Sequence, residues 1–240
     1  MHAPAQPLIP TDLLLLAYRN GIFPMADSRD DPEIFWVEPR RRAILPLDRF
    51  RPSKSLAKVI RQGRFRVTCN TAFGRVIALC AEPRPGHPES WISARIMASY
   101  TALHEEGHAH SIECWNGEDL VGGLYGIGFG GVFCGESMFS READASKVAL
   151  AWLVALMKRG GARLLDCQFM TEHLASLGAV EIAQARYVAL LGEASAAGVG
   201  DGDGAGAASV PEAFGALLAE AAGAGELPSK LILQSLTHTS

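Results

Sequence analysis

The sequence lacks any apolar run long enough to cross a membrane. A membrane-spanning helix needs about 20 consecutive apolar residues, and no stretch of the 240 residues approaches that length although 48% of them are hydrophobic. The N-terminal stretch MHAPAQPLIP also lacks the basic and apolar regions of a secretory signal peptide. We therefore expect a cytoplasmic protein with one large or two small domains and no membrane partner.

Cysteine and metal-ligand patterns are also sparse. The five cysteines are odd in number and no pair has CxxC spacing, which argues against a disulfide framework and against a zinc site. His104, His108 and His110 lie close in sequence, but Gly107 interrupts the helix that would bring the first two together. Because no acid or cysteine completes a ligand set there, the sequence predicts no metal site.

Acidic residues are almost absent from residues 40–75. This segment holds 11 of the 22 Lys and Arg residues and a single acid, Asp48, so its net charge is +10 while the rest of the chain carries −14. An asymmetry of this size favours a polyanionic partner for one face of the protein. The alternative is an ordinary solvated surface with scattered arginines.

A helix predicted at residues 53–64 organises part of this positive charge. Lys54, Lys58 and Arg61 are spaced to share one face of the helix, and apolar residues occupy the other face. Cations at this spacing lie about 5–6 Å apart along a helix, which suits contact with a nucleic-acid backbone.

A strand–helix–strand pattern is the most informative part of the chain. Two short apolar runs, residues 132–136 and 164–168, flank a helix at residues 144–157 that is apolar almost all round. Such a unit predicts two parallel strands joined by a right-handed crossover. A helix that is apolar on every side must be covered by other elements, so this unit is expected at the centre of the fold.

Three polar residues interrupt these strands where apolar residues are expected. Glu136 ends the first strand, and Asp166 and Gln168 share one face of the second. A buried carboxylate is costly unless it is paired, and open α/β sheets place their sites at the ends of parallel strands. The structural alternative is that Asp166 caps a turn and Glu136 meets an arginine, but two acids and an amide at matching strand ends favour a functional site.

The remaining segments indicate a three-part organisation. We predict a small N-terminal α/β domain at residues 1–50, a catalytic domain at 51–191, and a low-complexity linker and partly disordered tail at 192–240. Within the second part, Asn116-Gly117 predicts a β-hairpin turn between strands at residues 109–115 and 119–125. The four glycines that follow indicate strand bulges or close backbone approach: Gly126, Gly128, Gly130 and Gly131.

Several stretches of the chain match one known family. The segments AYRNGIFPM, FWVEPRRRAILP, SWI, AHSIECW, GGLYGIGFGGVFCGESMFS and LLDCQF, spread over residues 12–190, resemble the bacterial leucyl/phenylalanyl-tRNA–protein transferases. The pair GESMFS and DCQ at this separation is the most specific part of the match. The resemblance implies a mixed α/β fold in which a small N-terminal domain precedes an acetyltransferase-like (GNAT-like) domain.

The resemblance also implies an activity. Such an enzyme moves Leu, and less well Phe or Met, from aminoacyl-tRNA to a protein that begins with Arg or Lys, and the product is marked for degradation by the N-end rule. Aminoacyl-tRNA is an activated ester, so no metal or redox cofactor is implied. We expect the enzyme to act as a monomer.

The family motifs assign roles to individual residues. The residues that take the catalytic and acceptor-binding roles are Asp166, Gln168 and Glu136. The residues expected to line the aminoacyl pocket are Trp91, Phe133, Leu153, Met25 and Met138. The residues expected to contact tRNA are Lys54, Lys58, Arg61, Arg64 and Tyr100. In one departure, Met25 stands where many members have a Trp against the terminal adenosine, and methionine stacks less well.

These roles suggest a mechanism. We hypothesise that Asp166 orients Gln168, whose carbonyl oxygen accepts a hydrogen bond from the attacking amine, so that positioning supplies much of the acceleration. Glu136 suits the cationic acceptor because charge-assisted hydrogen bonds are strong. The proton that the amine loses leaves through the ribose hydroxyl of the tRNA or through water, and the sequence leaves both routes open.

Three rival functions remain at this point. An acetyl-CoA-dependent N-acetyltransferase would share the implied fold, but the acids in residues 140–144 would repel a pyrophosphate at the start of the long helix. A cysteine hydrolase would use Cys167 or Cys134 with a histidine, of which His173 is the nearest in sequence to Cys167. A non-enzymatic RNA-binding protein would explain the basic segment but not the three polar residues.

Overall fold

A seven-stranded mixed sheet forms the centre of this computed structural model, which describes residues 7–83, 89–196 and 206–237. The strands are β1 Phe23–Met25, β2 Phe35–Val37, β3 Arg41–Ile44, β4 Arg66–Cys69, β5 Ala109–Asn116, β6 Asp119–Phe129, β7 Val132–Ser140, β8 Leu164–Gln168 and β9 Val180–Ala183. The helices are α1 Thr11–Arg19, α2 Lys54–Arg61, α3 Phe73–Cys80, α4 Ala94–Glu105, α5 Ala145–Arg159, α6 Glu172–Ser176, α7 Gln184–Ala196, α8 Val210–Ala224 and α9 Pro228–Thr237.

The order of the strands in the main sheet is β4-β5-β6-β7-β8-β3-β9. Neighbouring strands pair antiparallel except β7 and β8, which are parallel. Strands β1 and β2 form a separate two-stranded sheet. The mixed α/β class expected from the sequence is therefore confirmed, as is the parallel strand pair on either side of the long helix.

Helices cover both faces of the main sheet. On one face α5 packs with α2, α8 and α9, and its residues from Val148 to Met157 are buried. On the other face α1, α3, α4 and α7 enclose a second apolar cluster. This arrangement explains why α5 is apolar on every side: the sheet covers one side of the helix and other helices cover the opposite side.

The predicted hairpin is present. Strands β5 and β6 pair from Ala109↔Ile127 to Asn116↔Asp119, and Gly117 occupies the left-handed region with φ of 57°. The predicted helix at residues 53–64 is α2, and the hydroxyl of Ser53 caps it by accepting a hydrogen bond from the backbone nitrogen of Leu56.

The main sheet has a cleft where β7 and β8 separate. Their pairing ends at Cys134↔Asp166, yet β7 runs on to Ser140 and β8 ends two residues later at Gln168. The pairing of β6 with β7 shifts at the same level: Tyr125 pairs with Ser137 and Gly126 with Gly135, so Glu136 is the extra residue of a β-bulge in β7. The residues that follow the last paired positions therefore face an open cleft.

Parts of the chain differ from the sequence-based expectation. Strand β9 was not predicted; it pairs with β3, which places residues 41–44 in the main sheet. The tail after residue 192 is more helical than expected: the sequence permits a helix at residues 211–222, which is present as α8, but α7 also continues to Ala196 and both α8 and α9 pack on α5. Residues 197–205 of the predicted linker lie outside the described residues. The domain boundary at residue 50 stays a prediction.

None of the helices in the described parts of the chain has both the length and the apolar composition needed to span a membrane.

The bulge region generates a prediction about stability. A Cβ at Gly126 would overlap the carbonyl oxygen of Cys134 and the ring of Phe133. We expect Gly126→Ala to lower the free energy of unfolding by about 1–3 kcal/mol or more, because the packed sheet has no room for a methyl group. Urea denaturation followed by circular dichroism measures the change.

The matched control is Gly215→Ala within α8, where an added Cβ meets no atom within 4 Å. This variant should gain about 0.5–1 kcal/mol from helix propensity. Equal unfolding midpoints for the two variants would contradict the close approach at Gly126.

Candidate active site

An ion pair between Arg42 and Asp166 lies beneath the open cleft. The guanidinium donates from Nε to Oδ1 at 2.9 Å and from Nη2 to Oδ2 at 2.6 Å, and both side chains are fully buried. Burial alone would lower the pKa of Arg42, but the hydrogen bonds and charge of Asp166 raise it above its usual value. The pair is therefore a fixed, charged unit with bidentate geometry.

Aromatic rings and a backbone carbonyl complete the surroundings of Arg42. Its guanidinium carbon lies 4.7 Å from the ring centre of Phe23 and 4.4 Å from that of Tyr187. Its Nη1 donates to the carbonyl of Gly21 at 3.1 Å, and the hydroxyl of Tyr187 donates to Asp166 at 3.0 Å. Arg42 of β3 is therefore contacted by groups from β1 and the turn before it, from β8 and from α7.

Asp166 in turn positions Gln168. Its Oδ1 accepts a hydrogen bond from the backbone nitrogen of Gln168 at 2.8 Å, and Gln168 has a left-handed φ of 61°. A non-glycine residue enters this region only where its surroundings hold it there. The side-chain Nε2 of Gln168 then donates to Oε1 of Glu136 at 2.7 Å, so the carbonyl oxygen of the amide remains as an acceptor.

Glu136 connects this amide to two buried tyrosines. Its Oε2 accepts from the hydroxyl of Tyr100 at 3.3 Å, and the hydroxyls of Tyr100 and Tyr18 are hydrogen-bonded to each other. Burial raises the pKa of Tyr100 well above its usual value, so this phenol stays protonated and can donate. The predicted site residues Glu136, Asp166 and Gln168 thus form one connected network.

The Glu136 carboxyl is unusually easy to protonate. Burial raises its pKa from 4.5 to about 8; hydrogen bonds from Tyr18 and Tyr100 and the charge of Arg42 oppose this effect, and Asp166 adds to it. Because the folded chain binds this proton more tightly than the unfolded chain, the contribution of Glu136 to folding is greatest below its ordinary pKa and declines as pH rises through 8.

A pocket of about 440 Å³ opens where β7 and β8 separate. Its polar end is formed by Glu136 and Gln168, which are 7% and 6% exposed. Its apolar wall includes Trp91, Leu124, Met138, Leu150, Leu153 and Leu165. The pocket can therefore hold an apolar side chain and a cationic group at the same time.

The structure corrects part of the predicted pocket lining. Trp91, Leu153 and Met138 line the pocket as expected, but Phe133 and Met25 do not. Phe133 is 1% exposed and belongs to the core packed against α5. Met25 lies in β1 opposite Phe35 and packs on the apolar cluster of the other sheet face.

The residues predicted to contact tRNA differ in their exposure to solvent. Lys54, Lys58 and Arg61 are exposed along α2, as predicted. Arg64 is exposed and pairs with Glu142 at 3.2 Å. Tyr100 is the correction: its side chain is completely buried and bonded to Glu136, so it belongs to the polar network and has no surface to offer a nucleic acid.

The cysteines do not have the properties of nucleophiles. Burial, with a contribution from Asp166, raises the pKa of the Cys167 thiol well above its usual range, and the same causes raise that of Cys134. A raised pKa favours the protonated thiol at neutral pH, which argues against the cysteine hydrolase.

Two of the three histidines have defined structural surroundings. His104 contacts the carbonyl of Ala109 through Nδ1 at 2.8 Å and stacks on the ring of Phe73. His110 is buried against Asn70, and burial lowers its pKa to about 4. Among the described residues, no three His, Cys, Asp or Glu side chains are grouped so that they could hold a metal ion.

Sequence reasoning missed Arg42, Tyr187 and Tyr18. Arg42 was counted within the basic segment, but its burial and pairing remove it from the surface charge. The available signal was its position in the strand of RRRAILP, where alternation points one of the three arginines toward the core. For the tyrosines, only their placement on apolar helix faces gave any indication.

The chain was then compared with known proteins. A model of the leucyl/phenylalanyl-tRNA protein transferase family matches residues 44–192, and a model of the N-terminal domain of the same family matches residues 9–40. The chain belongs to the leucyl/phenylalanyl-tRNA–protein transferase family. The first match contains Glu136, Asp166 and Gln168, and Arg42 lies between the two matched ranges.

Individual relatives of this transferase family agree with the match. A protein of Novosphingobium aromaticivorans named leucyl/phenylalanyl-tRNA–protein transferase is 62% identical over 256 aligned positions, which cover 97% of each chain. One of Rhizorhabdus wittichii with the same name is 62% identical over 183 positions, covering 76% of this chain and 74% of the relative.

A solved structure titled as L-PGS from Bacillus licheniformis aligns with a TM-score of 0.36 and 13% identity, covering 69% of this chain and 55% of that one. This likeness is too slight to bear on the function.

The ion pair generates a second prediction. Asp166→Asn keeps the shape of the side chain but leaves the charge of Arg42 buried without a partner. We expect the free energy of unfolding to fall by about 3–5 kcal/mol, which is the usual cost of breaking a buried pair. We also expect the variant to lose most of its activity, because the NH2 of the new amide opposes the N–H groups of Arg42 and disturbs the contact that positions Gln168. Urea denaturation and an activity assay measure the two effects.

The control is Glu181→Gln, which breaks the exposed pair that Glu181 makes with the adjacent Arg41. Exposed pairs contribute at most about 1 kcal/mol, so this variant should unfold close to the wild type. If Asp166→Asn is no less stable than Glu181→Gln, the assigned importance of the buried pair is wrong.

Proposed function

We propose that this chain transfers leucine, and less efficiently phenylalanine or methionine, from aminoacyl-tRNA to the α-amine of proteins that begin with Arg or Lys. The observation that supports this most is one pocket in which a buried carboxyl and an amide face an apolar wall. An amine acceptor with a cationic side chain and an apolar aminoacyl group fit the two ends of that pocket. The products would enter degradation by the N-end rule.

Glu136 is the acceptor-binding residue in this proposal. A guanidinium or ammonium group at the polar end of the pocket would find the carboxylate within a desolvated site, where charge-assisted hydrogen bonds are strongest. Since the pKa of Glu136 is about 8 in the empty site, the arriving cation displaces a proton. Acceptors with a neutral first residue lack the charge to do so.

Gln168 directs the attacking amine. Its Nε2 is committed to Glu136, so the carbonyl oxygen accepts an N–H hydrogen bond from the acceptor amine and aims the nitrogen lone pair at the ester carbon. A C–N bond forms as the ester C–O bond breaks, the amine loses one proton and the departing ribose oxygen gains one. Positioning of this kind can supply a large part of the acceleration without a base.

Asp166 acts through Gln168 and does not touch the substrate. It is fully buried behind the pocket, with its two oxygens bonded to Arg42, Tyr187 and the backbone of Gln168. We therefore assign it as a positioning residue, which modifies the catalytic role first expected from the sequence.

The apolar wall would receive the transferred side chain. Trp91, Met138 and Leu153 offer aromatic and flexible aliphatic surface, which accepts leucine and tolerates phenylalanine or methionine. One methylene group changes binding by only about 1–3 kcal/mol in such pockets. The pocket would therefore favour leucine over phenylalanine and methionine without excluding either of them.

The tRNA would bind along the exposed basic row of α2. Lys54, Lys58 and Arg61 have no hydrogen-bond or ion-pair partner among the described residues, so their charges are available to phosphates. We further propose that the chain acts as a monomer in the cytoplasm, that residues 1–50 form the smaller domain, and that no membrane takes part.

The central experiment compares Glu136→Gln with the wild type in transfer of radiolabelled leucine from leucyl-tRNA to a peptide that begins with Arg. For the wild type, KM for this peptide should fall by up to about tenfold per pH unit between about pH 6 and pH 8, because the cation must displace the proton of Glu136. The variant should show a high KM that lacks this fall.

A peptide that begins with Ala serves as the control. Its α-amine titrates with an ordinary pKa of about 7.7–8.0 like that of the Arg peptide, so the pH dependence of attack is common to both and cancels in the comparison. Parallel pH profiles for wild type and variant, or equal transfer to both peptides, would overturn the role of Glu136.

The basic row generates a separate prediction. Replacing Lys54, Lys58 and Arg61 by Ala should weaken tRNA binding and reduce the slope of log K against log salt by up to about 0.7–0.9 for every phosphate that the variant no longer neutralises. Fluorescence anisotropy at stepped salt concentrations measures this. The matched control replaces Arg19, Arg163 and Arg186, three exposed cations elsewhere; an equal reduction of the slope there would show that only net charge matters.

A further inference from the structure

The C-terminal helices add an element beyond the part of the chain that the family models match. The matches end at residue 192, whereas α8 and α9 occupy residues 210–237. Both helices are anchored in the core: Leu217 and Ile232 are fully buried, and the ring of Phe214 lies 5.7 Å from that of Trp152 in α5. This pair of helices is therefore an integral part of the fold.

Helix α9 lies beside the basic helix α2, and a groove of about 890 Å³ runs between them. Three cations line this groove, and they come from separate parts of the chain: Arg51 before α2, Arg61 at the end of α2 and Lys230 in α9. The acid in the same lining is Glu226. The groove therefore carries a net positive charge although the chain as a whole is acidic.

The three cations are held differently. Arg51 donates to the backbone carbonyls of Asp48 and Phe50, which fixes the guanidinium without neutralising it. Arg61 has no hydrogen bond or ion pair with any described residue. Lys230 pairs with Glu226, but both side chains are at least 30% exposed, so water screens that pair and it is weak.

The groove is continuous with the basic row on α2. Ala57 and Arg61, which line it, are one helical turn apart, and Lys54 and Lys58 lie on the adjoining part of the same helix face. Cations repeated at this spacing over a long surface match the repeated charges of a phosphodiester chain. A compact anion such as free phosphate would need them to converge on one point.

We propose that the groove between α2 and α9 holds a segment of the tRNA phosphodiester backbone, so that the C-terminal helices contribute directly to tRNA affinity. This inference rests on the proposed function, because it assumes that aminoacyl-tRNA is the donor. It extends the RNA surface from one helix to two, and it gives the C-terminal helices a role in addition to covering α5. The acidic remainder of the chain steers an anion toward this face.

Two substitutions of opposite sign test the proposal in the full-length protein. Lys230→Glu should weaken binding of leucyl-tRNA and reduce the salt slope by about 1. Glu226→Gln should strengthen the binding, since it removes the acid of the groove and frees Lys230. Arg186→Glu, an exposed charge reversal on α7 across the sheet, is the control for net charge and should leave the salt slope closer to that of the wild type.

The transfer assay separates this inference from the proposed function. At saturating leucyl-tRNA, Lys230→Glu should keep the kcat of the wild type and its KM for the Arg peptide, because Lys230 and its partner Glu226 lie outside the catalytic pocket. An unchanged salt slope for Lys230→Glu, or the same reduction for Arg186→Glu, would overturn the groove while leaving transfer intact. A raised KM for the peptide with unchanged tRNA binding would indicate that the groove contacts the acceptor peptide and would equally overturn the proposal.

Discussion

The arrangement of the site depends on the buried pair of Arg42 and Asp166. Two fully desolvated charges are costly to bury, and their mutual attraction compensates only where the geometry is good and the remaining hydrogen-bonding atoms are satisfied. Here both oxygens of the carboxylate are bonded, and the guanidinium lies between two rings. Replacing the pair with apolar residues could preserve stability, so its importance lies in the position that it imposes on Gln168.

The position of Gln168 is useful to the site only because β7 and β8 separate. If β7 and β8 stayed paired beyond this point, no gap would open between the two strands beside Glu136 and Gln168. Because pairing stops at Cys134 and Asp166, the next residues turn toward a shared opening, one strand supplying a carboxyl and the other an amide. The β-bulge leaves Glu136 without a paired residue in β6 and bends β7 at the same level, which helps to keep the gap between β7 and β8 open.

The sequence was most informative where a residue type conflicted with its local pattern. Acids and an amide at the ends of apolar strands pointed to Glu136, Asp166 and Gln168, and the apolar periodicity of α5 predicted the parallel unit around it. Spacing on α2 likewise predicted an exposed basic row. Such features are local, because they follow from the period of a helix or a strand.

Features that depend on distant parts of the chain were not predictable in this way. Arg42 is like its two neighbouring arginines until β8 supplies Asp166, 124 positions later. Phe133 was expected in the pocket from the family motif, but its side chain packs in the core against α5. Tyr100 could equally have faced solvent, and only the packing of α4 against the sheet decides that it does not.

The location of β3 also affects the order in which the chain can fold. This strand lies between β8 and β9 in the sheet, yet it is made well over a hundred residues before either of them, and the loop that must close is correspondingly long. During synthesis β3 has no partner in the main sheet until β8 is complete at residue 168, and its second neighbour, β9, follows by residue 183. Non-local pairing of this kind slows folding and exposes strand edges, and the catalytic network is consequently among the last parts of the molecule to be completed.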